Sequence, residues 1–448
     1  MVVHRTLNIA ARWIILSAIV VFPRFLLSES TEYRNTEPQT AGAAVAYTGA
    51  GSCTSSNCHG SVWPRTGSRI KQNEYKIWSG KDRHAKAYNV LLEPRSKLIA
   101  RNLGIDRAET AGKCLDCHAL NVPTGEQAKS FDLSDGVSCE SCHGPAAGWL
   151  GPHTTRGQTH QRNLALGMYE TKDLPKRVER CLSCHIGTEK KTVDHEMIAA
   201  GHPDLIFELD TFSALMPPHW EEPKSAWQGM RRWAVGQAVA LGASMEQLER
   251  RVRGSPWNGW PDFADFECFS CHHNLVLPSA RQARGYPGRA GIPLWNPSRY
   301  MVFRQVVAAI SPAERRILDQ LIEELKQRLQ NAGSGRTFVA ETASRIAQLM
   351  DNLVPQLGKA SYSESLARTV MRAIAADGDA ISNAGMRSAE QATMALEALY
   401  NSYEQTTEKN NKPLNAQISR LYETLQSTSR YDPEQFAAQL KQVRNLIP

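Results

Sequence analysis

The sequence predicts a mainly α-helical chain with little regular sheet: a motif-dense segment of short helices and loops, then a helical bundle. Three observations carry this. All ten cysteines fall in five motifs between Cys53 and His272. Glycine and proline punctuate the same stretch (Gly136, Gly144-Pro145, Gly151-Pro152, Pro217-Pro218), as loops turning between short elements require. After Pro297 cysteine, histidine and tryptophan vanish, and Ala, Leu, Gln, Glu and Arg recur at helical spacing. At 448 residues, with 42% hydrophobic and 7% aromatic content, the chain has the makeup of a soluble protein of two or three domains.

In chain order, His4, Arg5 and Arg12 precede an apolar run from Trp13 to Phe22, closed by Pro23-Arg24. Such a run suits the apolar part of an export signal and is too short to span a bilayer. Ala41-Gly42-Ala43 is the nearest small-x-small cleavage site. Residues 1–28 are read as a cleaved export signal, with an uncleaved N-terminal membrane anchor as the alternative. Residues 29–50, polar and small, read as a linker.

The motifs follow. Cys114-Leu115-Asp116-Cys117-His118, Cys139-Glu140-Ser141-Cys142-His143, Cys181-Leu182-Ser183-Cys184-His185 and Cys268-Phe269-Ser270-Cys271-His272 share one form. Cys53 and Cys58-His59 form a fifth copy with four residues between the cysteines. C-x-x-C-H is the attachment signature of c-type haem, whose vinyl groups bond the two thiols while the adjacent imidazole takes the iron from the proximal side. Zinc knuckles also use C-x-x-C pairs, but zinc does not require a histidine after every pair. The sequence therefore predicts five covalently bound haem c groups, with His59, His118, His143, His185 and His272 as proximal ligands. Cys53 to His273 leaves roughly 45 residues per haem, too few for a conventional core around each. The haems must themselves be the core of a multihaem cytochrome c domain. Residues 51–223 form a four-haem domain, 224–297 a long helix and fifth-haem segment, and 298–448 a haem-free helical bundle.

The formal charge of +7 would suggest a nucleic-acid or membrane partner, but two propionates per haem offset it, and no Lys/Arg-rich block is present. Haem is attached to thiols outside the cytoplasmic membrane, so the expected location is the periplasm or cell surface. Association with the membrane would be through the N-terminus.

Between the fourth and fifth motifs, Trp227, Met230, Ala234, Ala238, Leu241, Met245, Leu248 and Val252 repeat at three- and four-residue spacing. Met230 and Met245 are in register with this apolar stripe and read as packing rather than as haem ligands. Ser311-Pro312-Ala313-Glu314 is a capping box with Pro at the first helical position. It opens a helix bearing Leu318, Leu321, Ile322, Leu325 and Leu329 on one face, stopped near Gly333. Further helical patterns run through Ile346-Leu349-Leu353, Leu366-Val370-Ile374, Met394-Leu396-Leu399 and Ile418-Leu421-Leu425, and Asp432-Pro433 opens a last helix. The bundle's expected role is packing or oligomerisation.

The chemistry turns on the sixth position of each iron, since a bis-histidine haem passes electrons and an open one binds a small molecule. Thirteen histidines less five proximal ones and His4 leave seven candidates: His84, His153, His160, His195, His202, His219 and His273. Supply exceeds demand, which favours saturation. His195 and His202, seven apart, would share a helix face, although Gly201 and Pro203 put the second just past the helix end. His219 lies in the stiff segment Pro217-Pro218-His219-Trp220. His273 cannot reach the iron of its neighbour His272, and His160, in a polar stretch, reads as a surface residue. The predicted distal ligands are His84, His153, His195, His202 and His219.

Tyr75-x-x-Trp78-x₅-His84-Ala85-Lys86-Ala87, the second motif, and Gly136-Val137-Ser138-Cys139-Glu140-Ser141-Cys142-His143-Gly144-Pro145 with His153 downstream resemble the cytochrome c-554 family of multihaem electron carriers. The resemblance covers roughly residues 50 to 190. It implies that His153 ligates the first-motif haem and that His84 ligates a haem other than its nearest in sequence. It also implies close haem pairs, some stacked in parallel, within helical wrapping. The family's type member has four haems, so the Cys268–His272 motif and the bundle are additions. Its second-motif haem lacks a distal histidine, a place that His195, His202 or His219 could fill here.

The expected function is that of an exported pentahaem c-type cytochrome relaying electrons between redox partner proteins. The alternative is a multihaem oxidoreductase acting on a small nitrogen or sulfur compound at an open haem, at His118 or His272. Against it, no motif replaces the proximal histidine with lysine, and no Arg, Tyr and His cluster forms an anion pocket. No catalytic residue is assigned. A third reading, a subunit of a filament or larger complex, would use the C-terminal helices for assembly.

Overall fold

A Cys-x-x-Cys-His run wound into one helical turn carries both thiols and the imidazole on one side, so a protein built around such runs needs only short helices. The computed structural model describes residues 47–222, 225–254, 260–272, 288–331, 335–426 and 431–448, and residues from Ala44 on form one compact unit. The export segment, most of the linker, His4, His273 and the expected helix stop at Gly333 lie outside the described residues. Between Tyr47 and Glu222 the longest described helix, Leu174–His185, has 12 residues, and it carries the fourth motif. The second and third motifs sit on Gly112–His118 and Cys139–His143, and the first and fifth at the 3₁₀ turns Ala50–Cys53 and Cys268–Ser270. Among the described residues β-structure is confined to two isolated bridges, Tyr47 with Gln127 and Phe266 with Trp295. The mainly α class is as the composition predicts.

Apolar burial is divided unevenly. The motif region holds only small clusters, one around Leu91, Ala100, Cys114 and Leu115 and another around Val178, Leu182, Ile186 and Phe207. The large core begins at Trp227 and runs through the C-terminal helices to Ile447. Its axis is the 26-residue helix Gln228–Arg253, about 39 Å long at 1.5 Å per residue. Met230 and Met245 are buried in this core among the other stripe positions, which is the packing role their register predicts. Gly236 and Gly242 let neighbours close in: a Cβ at Gly236 would stand 2.8 Å from Leu209 Cβ, and one at Gly242 3.2 Å from Met350 Cβ. The fourth-motif helix packs on the same long helix, so motif region and bundle share it.

The C-terminal helices start at Ser298, Pro312, Arg336, Glu364, Gly378, Met386, Lys412 and Pro433. Asp432 caps the last as predicted, accepting from the backbone N–H groups of Glu434 and Gln435. The capping box at Ser311 does not form. The helix Pro312–Gln330 begins where expected, but the Ser311 hydroxyl donates instead to Gln356 Oε1 at 2.9 Å, on a neighbouring helix. None of the described helices is long and apolar enough to cross a membrane.

Polar contacts tie the bundle to the motif region. Arg387 pairs with Asp204 and donates to the carbonyl of Ala264 at 2.9 Å. Arg251 of the long helix pairs with Asp262 at 3.2 Å and Asp265 at 2.6 Å. Glu208, buried at the start of the helix Leu209–Leu215, accepts from the N–H groups of Asp210 (2.8 Å) and Thr211 (2.7 Å). Burial, with the Asp210 charge beside it, pushes the Glu208 carboxyl up to about 7. The unfolded chain releases this proton near the ordinary glutamate value, so between the two values the folded state holds more protons. Stability from this group is full below the ordinary value and is lost as pH rises toward about 7. Urea titrations at about pH 5 and pH 8 should show the midpoint falling, and Glu208→Gln should remove about 1–3 kcal/mol of that fall. An unchanged pH dependence in the variant would refute the assignment.

Candidate metal centres

The proximal histidines are not isolated. His59 faces His153 with ring centroids 6.3 Å apart and planes 9° from parallel. His118 faces His202 at 6.3 Å, His185 faces His84 at 6.2 Å, and His272 faces His195 at 6.1 Å. A first-row metal stands about 2 Å from an imidazole nitrogen, so two imidazoles on opposite sides of one metal have centroids about 6 Å apart. The four separations thus fit one metal between each pair. His143 and His219 are neighbours in the same region, each buried enough to be held below the ordinary histidine value. No set of three or more His, Cys, Asp or Glu side chains closes around one point among the described residues.

In five of these histidines Nδ1 is occupied, which fixes the tautomer and leaves Nε2 for a metal. His59 Nδ1 pairs with Glu74 Oε2 at 2.9 Å and His84 Nδ1 with Asp82 Oδ1 at 3.0 Å. His118 Nδ1 donates to Ala87 O (3.0 Å), His153 Nδ1 to Leu150 O (2.6 Å) and His202 Nδ1 to Pro203 O (2.7 Å). Burial opposes ionisation of Asp82, but its hydrogen bonds from the His84 ring and backbone outweigh this and hold it below the usual carboxylate range. Burial lowers His143 and His185 to about 4, which keeps both neutral, the form that binds metal.

His160 stays apart from the facing pairs, partly exposed as a surface residue would be. Its Nε2, the nitrogen that a ligand would need, is taken by Glu170 at 2.9 Å, and both side chains are half-buried. His195 and His202 meet different proximal histidines. The helix carrying His195 ends at Ala199, and Gly201 at φ +112 turns the chain so that His202 reaches the second motif. Asp262 accepts from the His195 N–H at 3.1 Å, and Lys113, beside Cys114, pairs with Asp194 at 2.9 Å. On the far side Arg95 and Asn102 hold the carbonyls of Gly201 (2.9 Å) and Ala200 (3.0 Å).

The attachment thiols are themselves adjacent. Cys53 interacts with Cys139, and Cys117 with Cys184, so the first motif adjoins the third and the second adjoins the fourth. None of the ten cysteines is joined in a disulfide. The third motif carries a further device. Glu140 is 2% exposed and accepts from the N–H groups of Thr48 (2.9 Å), Gly49 (2.7 Å) and Ala146 (2.7 Å), pinning the chain ahead of Cys53 to the third motif. Gly136 at φ +67 passes so close to His84 that a Cβ would stand 2.8 Å from its carbonyl oxygen. Val137 then donates to that carbonyl at 3.0 Å and accepts from Trp78 Nε1 at 3.2 Å, which places His84.

Residues 52–144 match the family model described as cytochrome c554 and c-prime. Over 118 residues the chain is 30% identical to cytochrome c-554 of Nitrosomonas europaea, covering 24% of this chain and 49% of that protein. The chain thus spans about half the length of the curated relative it matches. No solved structure matches the chain. These matches are to c-type cytochromes, and the thiol pairs beside the motif imidazoles are the residues that would hold haem c covalently. The similarity to cytochrome c-554 is thus that of one segment, which contains the first three motifs.

Proposed function

We propose that this chain is an exported cytochrome with five bis-histidine haems, relaying electrons between redox partner proteins on the outer side of the cytoplasmic membrane. The observation that carries the reading is the set of facing imidazoles at 6.1–6.3 Å, each pair joining one proximal histidine to one histidine outside the motifs. The assignments are His59 with His153, His118 with His202, His143 with His219, His185 with His84, and His272 with His195. Haem iron supplies a one-electron couple. The facing histidines would hold that couple from both sides, with Glu74, Asp82 and backbone carbonyls fixing the ring tautomers, and would leave no iron open to a substrate. The adjoining thiols of the first and third motifs, and of the second and fourth, support transfer across short gaps. The apolar run at residues 13–22 supports export.

The test is a haem count by pyridine haemochrome with low-temperature EPR of the oxidised protein. Five haems per chain, all low-spin, are expected. Two or more high-spin haems that react with nitrite, hydroxylamine or nitric oxide would replace the relay by a reductase.

A further inference from the structure

Exposed apolar side chains gather beside the first site. Val62 is 70% exposed, Trp63 80% and Ile70 58%, whereas exposed residues such as Leu215, Phe263 and Phe338 are scattered singly. All three belong to one excursion of the chain, residues 61–72, whose base is closed by backbone hydrogen bonds. Ser61 N donates to Gln72 O and Arg65 N to Lys71 O, both at 2.7 Å. Gln72 sits at φ +60, and its side chain donates to Asn57 O at 2.9 Å, inside the first motif. The Glu74 carboxylate joins this base to the site, accepting from Lys71 N at 2.8 Å with one oxygen and holding His59 Nδ1 at 2.9 Å with the other.

The excursion is positively charged. From Gly60 to Asn73 there is no Asp or Glu, and Glu74 is turned inward. Lys71 is paired with Glu221 at 2.8 Å, but Arg65 and Arg69 are exposed and in no ion pair among the described residues. Exposed aromatic and aliphatic side chains interspersed with arginines in one short loop have the makeup of a protein-binding patch, and the sign of the charge selects an acidic partner.

We propose that residues 61–72 are the docking surface for an acidic redox protein that exchanges electrons at the first site. The inference rests on the proposed haem held by His59 and His153. One electron passes between the partner's centre and that iron, which changes between ferric and ferrous as the partner changes by one electron. No bond forms or breaks and no proton moves. Because Glu74 spans the loop base and the axial imidazole, the docked partner is one side chain from the ligand shell.

Reduced plant-type [2Fe–2S] ferredoxin, a small acidic one-electron donor, serves as the probe in stopped-flow reduction of the full-length holoprotein. Arg65→Glu with Arg69→Glu should lower the second-order rate constant at low ionic strength about tenfold or more. The difference should close at high salt, where exposed charges are screened. Trp63→Ala should lower the rate at high salt as well, because its contact is apolar. Reduction by dithionite should be unchanged in both variants. An unaltered ferredoxin rate in the charge-reversed protein would overturn the inference. So would slowed dithionite reduction in Trp63→Ala, which would make that ring a cover for the haem edge. Loss of binding to phosphatidylglycerol vesicles with an unaltered ferredoxin rate would assign the patch to a membrane surface instead. A count of four haems with an empty first site would overturn the reading beneath, whereas five haems with an unaltered ferredoxin rate overturns the docking surface alone.

Discussion

If the proposed five-haem ligation holds, replacing His202 with alanine is expected to turn one haem in five from low-spin to high-spin. His202 faces His118 at 6.3 Å and its Nδ1 is held by the carbonyl of Pro203 at 2.7 Å, so removal of the ring leaves the second site with one axial donor. The new high-spin EPR signal should be accompanied by carbon monoxide binding to the reduced protein at one site per chain. His160→Ala is the matched control: its Nε2 already serves Glu170, and all haems should stay low-spin. A wholly low-spin spectrum in the His202 variant would show that another residue reaches the second iron. The experiment also decides between relay and enzyme, because the second site is the one whose counterpart in the related family is read as open.

The second large effect is on stability. Glu140→Ala strands three buried N–H groups, those of Thr48, Gly49 and Ala146. At about 1–3 kcal/mol for each unsatisfied donor, a loss of about 3–5 kcal/mol is expected, read as a lowered urea midpoint. Glu140→Gln keeps one carbonyl acceptor and should cost about 2 kcal/mol. Because the segment that Glu140 holds leads directly into Cys53, the alanine variant should also lose haem at the first site. Equal midpoints for variant and native chain would remove the role given to this carboxylate.

The attachment sites were legible because they are local. A Cys-x-x-Cys-His run declares its chemistry within five residues, and the helical stripe from Trp227 to Val252 declares its burial the same way. Axial pairing is not local. That His84 faces His185, and that the neighbours His195 and His202 part toward His272 and His118, depends on how distant segments pack. The resemblance anticipated His153 with the first motif and a distant target for His84, while the partners of His195 and His202 needed the structure. Ser311 misled for a related reason: the sequence shows a hydroxyl in capping position but not Gln356 competing for it. His160, read as a surface residue from its polar neighbours, is partly exposed, and the sequence did not show its pairing with Glu170 ten residues on. Within the motif, Glu140 shows no role from sequence alone. Its signal was a carboxylate in a segment that must be buried against a cofactor, where a charge persists only if donors surround it.

The segment from Asp194 to Pro203 carries the His195 and His202 imidazoles to two different centres. Its anchors on either side, to Asp262 and Lys113 and to Arg95 and Asn102, keep it a single piece. Local unfolding that releases this piece would strip axial ligands from both centres in one event. Under the proposed ligation, ligand loss at the second and fifth sites would then be cooperative: an exogenous ligand that captured one iron would lower the free energy of capturing the other, and by reciprocity the reverse would hold.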